Sequence, residues 1–230
     1  MATVLLVRHG RTTANASGLL AGRTPGVALD ETGVEQAART GERLSDVPLV
    51  GVVSSPLQRC RQTAQAILDE QSGAAALSID DGISECDYGD WQGRSLADLT
   101  QEPLWSVVQN QPSAVTFPGG ESMPTMQSRA ITAVRENDAA FEAEHGAGAV
   151  WAAVSHGDII KAVLADALGM HLDLFQRIAV NPASVSIVQY SSARPTVVSM
   201  NTDAGDLSWL SSTEAPPAEA PVGGGTGPSA

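Results

Sequence analysis

The sequence has little with which to grip a polyanion, staple itself with disulfides or cross a membrane. Thirteen of its 230 residues are Lys or Arg, against twenty-six Asp or Glu, giving a formal charge of −13. A surface so acidic disfavours a nucleic-acid backbone or an anionic membrane, and neither is expected as a partner. A local basic pocket for a small anion remains compatible with it. The two cysteines, Cys60 and Cys86, offer no disulfide framework and no metal-ligand spacing, and are expected to be packed thiols. No apolar run approaches the roughly eighteen residues of a membrane helix. The first such run, residues 4–7, is too short for a signal-peptide core and closes on Arg8 and His9. A cytoplasmic protein is the expectation. What the chain does have is ample length for one hydrophobic core, with 43% apolar residues and only 17% charged.

Periodicity predicts alternating strands and helices. Residues 3–7 form a short continuous apolar run, as in a strand buried on both faces of a parallel sheet. Thr32 and Glu35 have capping-box spacing ahead of a helical repeat through Val34, Ala37, Ala38, Gly41 and Leu44. Strands are predicted at 50–54, 77–79, 149–154, 185–190 and 196–200. Helices are predicted from Pro56 to Leu68, from Met123 to Glu144 and from about Ile159 to Leu168. The stretch 83–118 is divided by Gly89, Gly93, Pro103, Pro112 and Pro118 into short pieces. Its Trp91, Trp105 and Phe117 either wall a pocket or close the core, and core closure is the default expectation. The order implies an α/β three-layer sandwich, a mostly parallel central sheet with helices on both faces. Residues 1–210 form the predicted domain, and 211–230, rich in Pro, Ala and Gly, a disordered tail.

Chemistry collects where predicted strands end. Arg8-His9-Gly10-Arg11-Thr12 follows the first strand, and Ser155-His156-Gly157-Asp158 follows a later one, so two of the four histidines sit where open α/β sheets bind ligands. Arg59 opens a helix just past a third strand, and Glu85 supplies a carboxylate from the irregular stretch. Two His, two Arg and a Glu on one sheet edge suit a phosphoryl group. A metal is not expected, because Arg8 and Arg59 would repel a cation, and no cofactor is implied. Asp158 is read as a helix cap, and Arg23 and Arg94 as surface arginines.

These motifs, taken together, resemble the histidine phosphatase superfamily with its phosphoglycerate-mutase-like fold. The resemblance rests on Arg8-His9-Gly10 with Thr12 and Asn15; on Leu29 to Gly33 with Gln36 and Ala37; and on Ser55-Pro56-Leu57-Gln58-Arg59 with Gln62-Thr63-Ala64. It continues through Glu85 with Gly89-Asp90-Trp91-Gln92-Gly93, Pro118-Gly119-Gly120-Glu121-Ser122 and Ser155-His156-Gly157. It runs from about residue 3 to 205 and includes an actinobacterial group labelled phosphomutases, a label that leaves the activity open. The resemblance implies phosphoryl transfer through a phosphohistidine on His9, with Arg8, Arg59 and His156 binding the phosphoryl oxygens and Glu85 donating a proton. Thr12, Asn15, Gly22 and Gly157 are the expected substrate contacts. The substrate is expected to be a small phosphate ester.

Two departures favour a phosphatase over a mutase. Cys86 follows Glu85 where the mutases carry an arginine, and no arginine pair follows Trp91. A mutase, or a phospho-ligand-binding protein without turnover, is the alternative. No oligomeric state is legible.

Overall fold

A computed structural model of the chain describes residues 2–73, 75–191, 193–203 and 222–225. Strand β1 (Thr3–Arg8) leads into a single turn, α1 (Thr13–Ala16), and then α2 (Glu31–Leu44), β2 (Leu49–Ser54), α3 (Gln58–Asp69) and β3 (Ala76–Ile79) follow. The irregular stretch holds α4 (Leu96–Leu99) and α5 (Trp105–Asn110). The chain then forms α6 (Met123–His145), β4 (Val150–Ser155), α7 (Gly157–Ala167), β5 (Val185–Gln189) and β6 (Thr196–Thr202). Six strands make one sheet in the order β3-β2-β4-β1-β5-β6. The first four run parallel, while β5 and β6 pair antiparallel at one side.

The alternation of side chains along each strand separates two apolar layers. Val4, Leu6, Val53, Trp151 and Ala153 join Met126, Ala130 and Val134 of α6 and Ile160 and Val163 of α7. Leu5, Val7, Val52, Ala152 and Val154 face the other way, onto Leu44 of α2 and Cys60, Ala64 and Ile67 of α3. This is the three-layer α/β sandwich that the element order implies. Trp91, Trp105 and Phe117 are buried, Trp91 stacking on Trp105 and meeting Phe117 edge-on. Both cysteines are free and buried.

The helix starts differ from their sequence signals in physical detail. The cap of α2 is Asp30, whose carboxylate accepts from the Gly33 amide at 2.7 Å. Thr32, expected as the cap, instead accepts from Arg11 Nη2 at 2.8 Å. Val34, placed on the apolar stripe, is 53% exposed, because α2 packs through Gly33, Ala37, Gly41 and Leu44. Gly33 has no alternative: a Cβ there would overlap the Arg11 carbonyl, so a glycine lets the loop after β1 lie directly on α2.

Within the expected tail, residues 222–225 pack on the domain. Val222 is 2% exposed and belongs to the apolar cluster of Leu20 and Tyr88, and the Gly223 amide donates to Asp158 at 3.0 Å. A small apolar residue followed by glycines fits a groove that bulkier residues would not enter. Residues 204–221 and 226–230 lie outside the described residues.

Candidate active site

Strands β1, β2 and β4 all point their carboxyl ends at one edge, and each delivers part of the cluster. Arg8 ends β1 and His9 follows it, while Ser54 ends β2 ahead of the loop to Arg59 in the first turn of α3. Ser155 ends β4, and His156 is the N-cap position of α7. Glu85 arrives from the irregular stretch and is 2% exposed.

Hydrogen bonds fix the tautomer of the central histidine. His9 Nδ1 lies 2.7 Å from the Gly10 carbonyl, which only accepts, so Nδ1 carries the proton. Nε2 therefore keeps its lone pair and accepts from Arg59 Nε at 3.2 Å. Burial, then the charges of Arg59 and Arg8, hold the His9 pKa well below the ordinary histidine value. The imidazole is thus neutral at physiological pH, as a nitrogen nucleophile requires.

The same reasoning assigns His156. Its Nδ1 meets Arg59 Nη2 at 3.2 Å and must accept, so Nε2–H donates to Ser55 Oγ at 2.8 Å. Burial and the neighbouring Arg59 and His9 keep this ring neutral too. His156 therefore orients Arg59 in this arrangement, with its Nε2–H directed to Ser55. The two rings sit 5.2 Å apart, edge to face.

Arg59 Nη2 also donates to the Gly22 carbonyl at 2.8 Å, and Arg8 Nη1 to the Val180 carbonyl at 2.8 Å. Arg8 Nε, Arg8 Nη2 and Arg59 Nη1 have no hydrogen-bond partner among the described residues, although all three are buried. Unpaired buried guanidinium nitrogens are costly, and Arg59 carries one while bonded to His9, which suits an anion. Burial lowers the Arg8 pKa to about 10, with Glu85 and Asp158 opposing the fall, so it stays charged near neutrality.

Glu85 Oε1 accepts from the Cys86 amide at 2.9 Å, and Oε2 lies 3.8 Å from His156 Nδ1. Burial, helped by the nearby Asp158 charge, pushes its pKa up to about 7. The loop carrying it is tied from behind. Arg129 donates to the carbonyls of Gly82, Ser84 and Glu85 at 2.7, 2.8 and 3.1 Å, and pairs with Glu121 at 2.6 Å. Arg23, read as a surface residue, also donates to the Glu85 carbonyl at 2.8 Å and pairs with Glu121, because the 19–24 loop folds over the acid.

Thr12 and Asn15 form a capping box at α1. The Asn15 amide oxygen accepts from Thr12 N and Oγ1 at 3.1 and 2.8 Å, leaving its amide nitrogen as a donor. Both line a small cavity with His9, Gly22, Arg59 and Glu85. Arg8 and His156 support it from contacts just behind. Gly157 packs against Arg8 and Gly224. Asp158 does not cap α7: it accepts from Tyr88 Oη at 2.8 Å and from Gly223 N, with Lys161 Nζ at 3.6 Å, because its side chain turns inward. Sequence reasoning missed Arg129 and the segment 222–225. Neither carries a local signal, since both reach the site through tertiary contact alone.

A family model described as the histidine phosphatase superfamily (branch 1) matches residues 4–203. Over 196 residues, 84% of this chain and 87% of the relative, the sequence is 31% identical to the probable phosphoglycerate mutase GpmB of Proteus mirabilis. The alpha-ribazole phosphatase of Shigella flexneri superposes with a TM-score of 0.73 at 27% identity, covering 87% of this chain and 96% of that one. A mycobacterial glucosyl-3-phosphoglycerate phosphatase shares the fold, with a TM-score of 0.78 at 24% identity over 87% and 99% of the two chains.

Proposed function

We propose that this chain, which belongs to the histidine phosphatase superfamily (branch 1), is a phosphomonoesterase that hydrolyses a small phosphorylated metabolite through a phosphohistidine on His9. The observation that carries the reading is the neutral His9 Nε2 held by Arg59, with guanidinium nitrogens of Arg59 and of the adjoining Arg8 buried and without a partner among the described residues. Because the imidazole is itself the nucleophile, the reaction needs no metal-bound water.

The proposed reaction uses these residues in turn. As the Arg59 Nε–H passes from His9 Nε2 to a phosphoryl oxygen, Nε2 attacks phosphorus, forming an N–P bond as the ester P–O bond breaks. Negative charge spreads over the phosphoryl oxygens, where the fixed guanidinium donors of Arg8 and Arg59 stabilise it. Glu85, protonated up to about pH 7, passes its proton to the leaving alkoxide. As a carboxylate it then takes a proton from water, whose oxygen attacks phosphorus. The N–P bond breaks, inorganic phosphate leaves, and both side chains return to their starting states. Asn15, held by Thr12 through its amide oxygen, adds a neutral donor to the phosphoryl group through its amide nitrogen. Hydrolysis rather than phosphoryl shuttling is supported by the buried Cys86 beside Glu85, where the mutases carry an arginine.

The test is phosphate release from 4-nitrophenyl phosphate and 3-phosphoglycerate by the wild type and by His9→Ala, with a chelator present. Release by the wild type that disappears in the variant is expected. Isomerisation of 3-phosphoglycerate that needs a bisphosphate primer and releases no phosphate would replace this reading with a mutase.

A further inference from the structure

We propose that the mouth of this site is also a binding site for the chain's own C-terminal segment, Val222-Gly223-Gly224-Gly225, which competes with the phosphorylated substrate. The inference rests on the functional reading above only for what is displaced. The docking itself stands on contacts.

The segment is seated by three kinds of interaction. Val222 is buried in the apolar cluster of Leu20 and Tyr88. The Gly223 amide donates to the buried carboxylate of Asp158 at 3.0 Å, beside the Tyr88 hydroxyl on the same oxygen. Gly224 lies on the Arg8 guanidinium and against Gly157 at the start of α7.

The fit demands glycine twice over. Gly223 and Gly224 have φ of 73° and 79°, which L side chains rarely adopt. A Cβ on Gly223 would stand 2.9 Å from Leu20 Cδ1, and one on Gly224 would stand 2.8 Å from Arg8 Cζ. A composition that reads as featureless linker is thus the one the groove accepts.

Competition follows from space. With the segment in place, the cavity holding His9, Arg59 and Glu85 is about 30 Å³. Sites for small organic ligands are roughly ten times larger or more. Gly224 also occupies the approach to Arg8 and to the first amides of α7, where phosphoryl oxygens would be bound. The docked segment and a phosphate ester therefore exclude one another. Substrate binds only the fraction of molecules whose segment has left, and apparent affinity falls by that fraction.

The experiment uses the full chain with Val222→Asp, which buries a charge in the apolar cluster of Leu20 and Tyr88, and separately Gly224→Val, whose side chain collides with Arg8. Thermal unfolding by circular dichroism confirms that both fold. Two readouts are taken: kcat/KM for 4-nitrophenyl phosphate, and calorimetric affinity for inorganic phosphate. Both variants are expected to raise kcat/KM on the order of tenfold, mainly through KM, and to bind phosphate more tightly by the same factor. Tighter phosphate binding in the variants without turnover in any form would keep the competition and remove the phosphatase reading. Turnover and phosphate affinity both unchanged would overturn the competition and leave the phosphatase intact. Loss of turnover in both folded variants would also overturn it, since the segment would then belong to the working site.

Discussion

Replacing Glu85 with Gln isolates the energetic cost of keeping an ionisable acid in this site. Glutamine reproduces the shape of the protonated acid, and its amide oxygen can still accept from the Cys86 amide. In the unfolded chain Glu85 titrates near its ordinary value of 4.5, whereas burial and Asp158 hold it at about 7 in the fold. Between those values the folded state binds more protons than the unfolded state, so this group's contribution to stability falls as pH rises. The contribution is fully present below about pH 4.5 and is lost once pH has risen through about 7. The displacement corresponds to on the order of 3 kcal/mol, and because Glu85 is fully buried solvent screening does not reduce it. Glu85→Gln is therefore expected to match wild-type stability at pH 4.5 and to exceed it at pH 8 by about 1–3 kcal/mol, while losing turnover. Urea unfolding of both proteins at pH 4.5, 6 and 8 measures this directly. A stability difference that stays flat across that range would refute the buried, raised acid.

The raised acid also predicts a pH profile for activity. For an alkyl phosphate, kcat/KM should fall as pH rises through about 7, because the leaving alkoxide needs the Glu85 proton. With 4-nitrophenyl phosphate, whose leaving group departs without a proton, that limb should be much weaker. Arg129→Met should lower kcat roughly 10- to 100-fold with little change in KM, because the Gly82 and Ser84 carbonyls lose their anchor and the Glu85 carbonyl keeps only Arg23. It should also cost about 2–3 kcal/mol by leaving Glu121 poorly paired, as thermal and urea melts would show. Trp151→Phe, which removes the 2.9 Å donor to the buried Asp138 carboxylate, should destabilise by about 1–2 kcal/mol without altering kcat.

The strands and the edge they converge on were legible because burial on two faces leaves continuous apolar runs, as at residues 3–7 and 149–154. The residues at the ends of those runs, His9, Arg59 and His156, were legible for the same reason: a strand end fixes where the next side chains must stand. The resemblance in motif order then brought in Glu85, which its own stretch of sequence would not have placed. Capping was less legible. Asp30 and Thr32 are both competent caps and Arg11 donates to both, but the helix starts at Glu31, which leaves the Gly33 amide to Asp30. Asp158 reads as a first-turn acid and turns inward only because Tyr88 and Gly223 donate to it. Arg129 sits eight residues beyond Glu121 on α6 in an unremarkable polar position, and nothing local shows that it clamps the Ser84-Glu85 backbone. Residues 222–225 are the extreme case, since their composition argues for disorder and only the groove they enter makes glycine a requirement.

The central claim is covalent, and trapping the intermediate tests it most directly. The wild type, mixed with phosphate-labelled substrate and quenched in alkali during turnover, should carry one labelled phosphoryl group on the peptide containing His9. That label should be lost in acid, as a phosphoramidate is, and absent from His9→Ala. Turnover without any labelled protein, or label on a residue other than His9, would contradict the account.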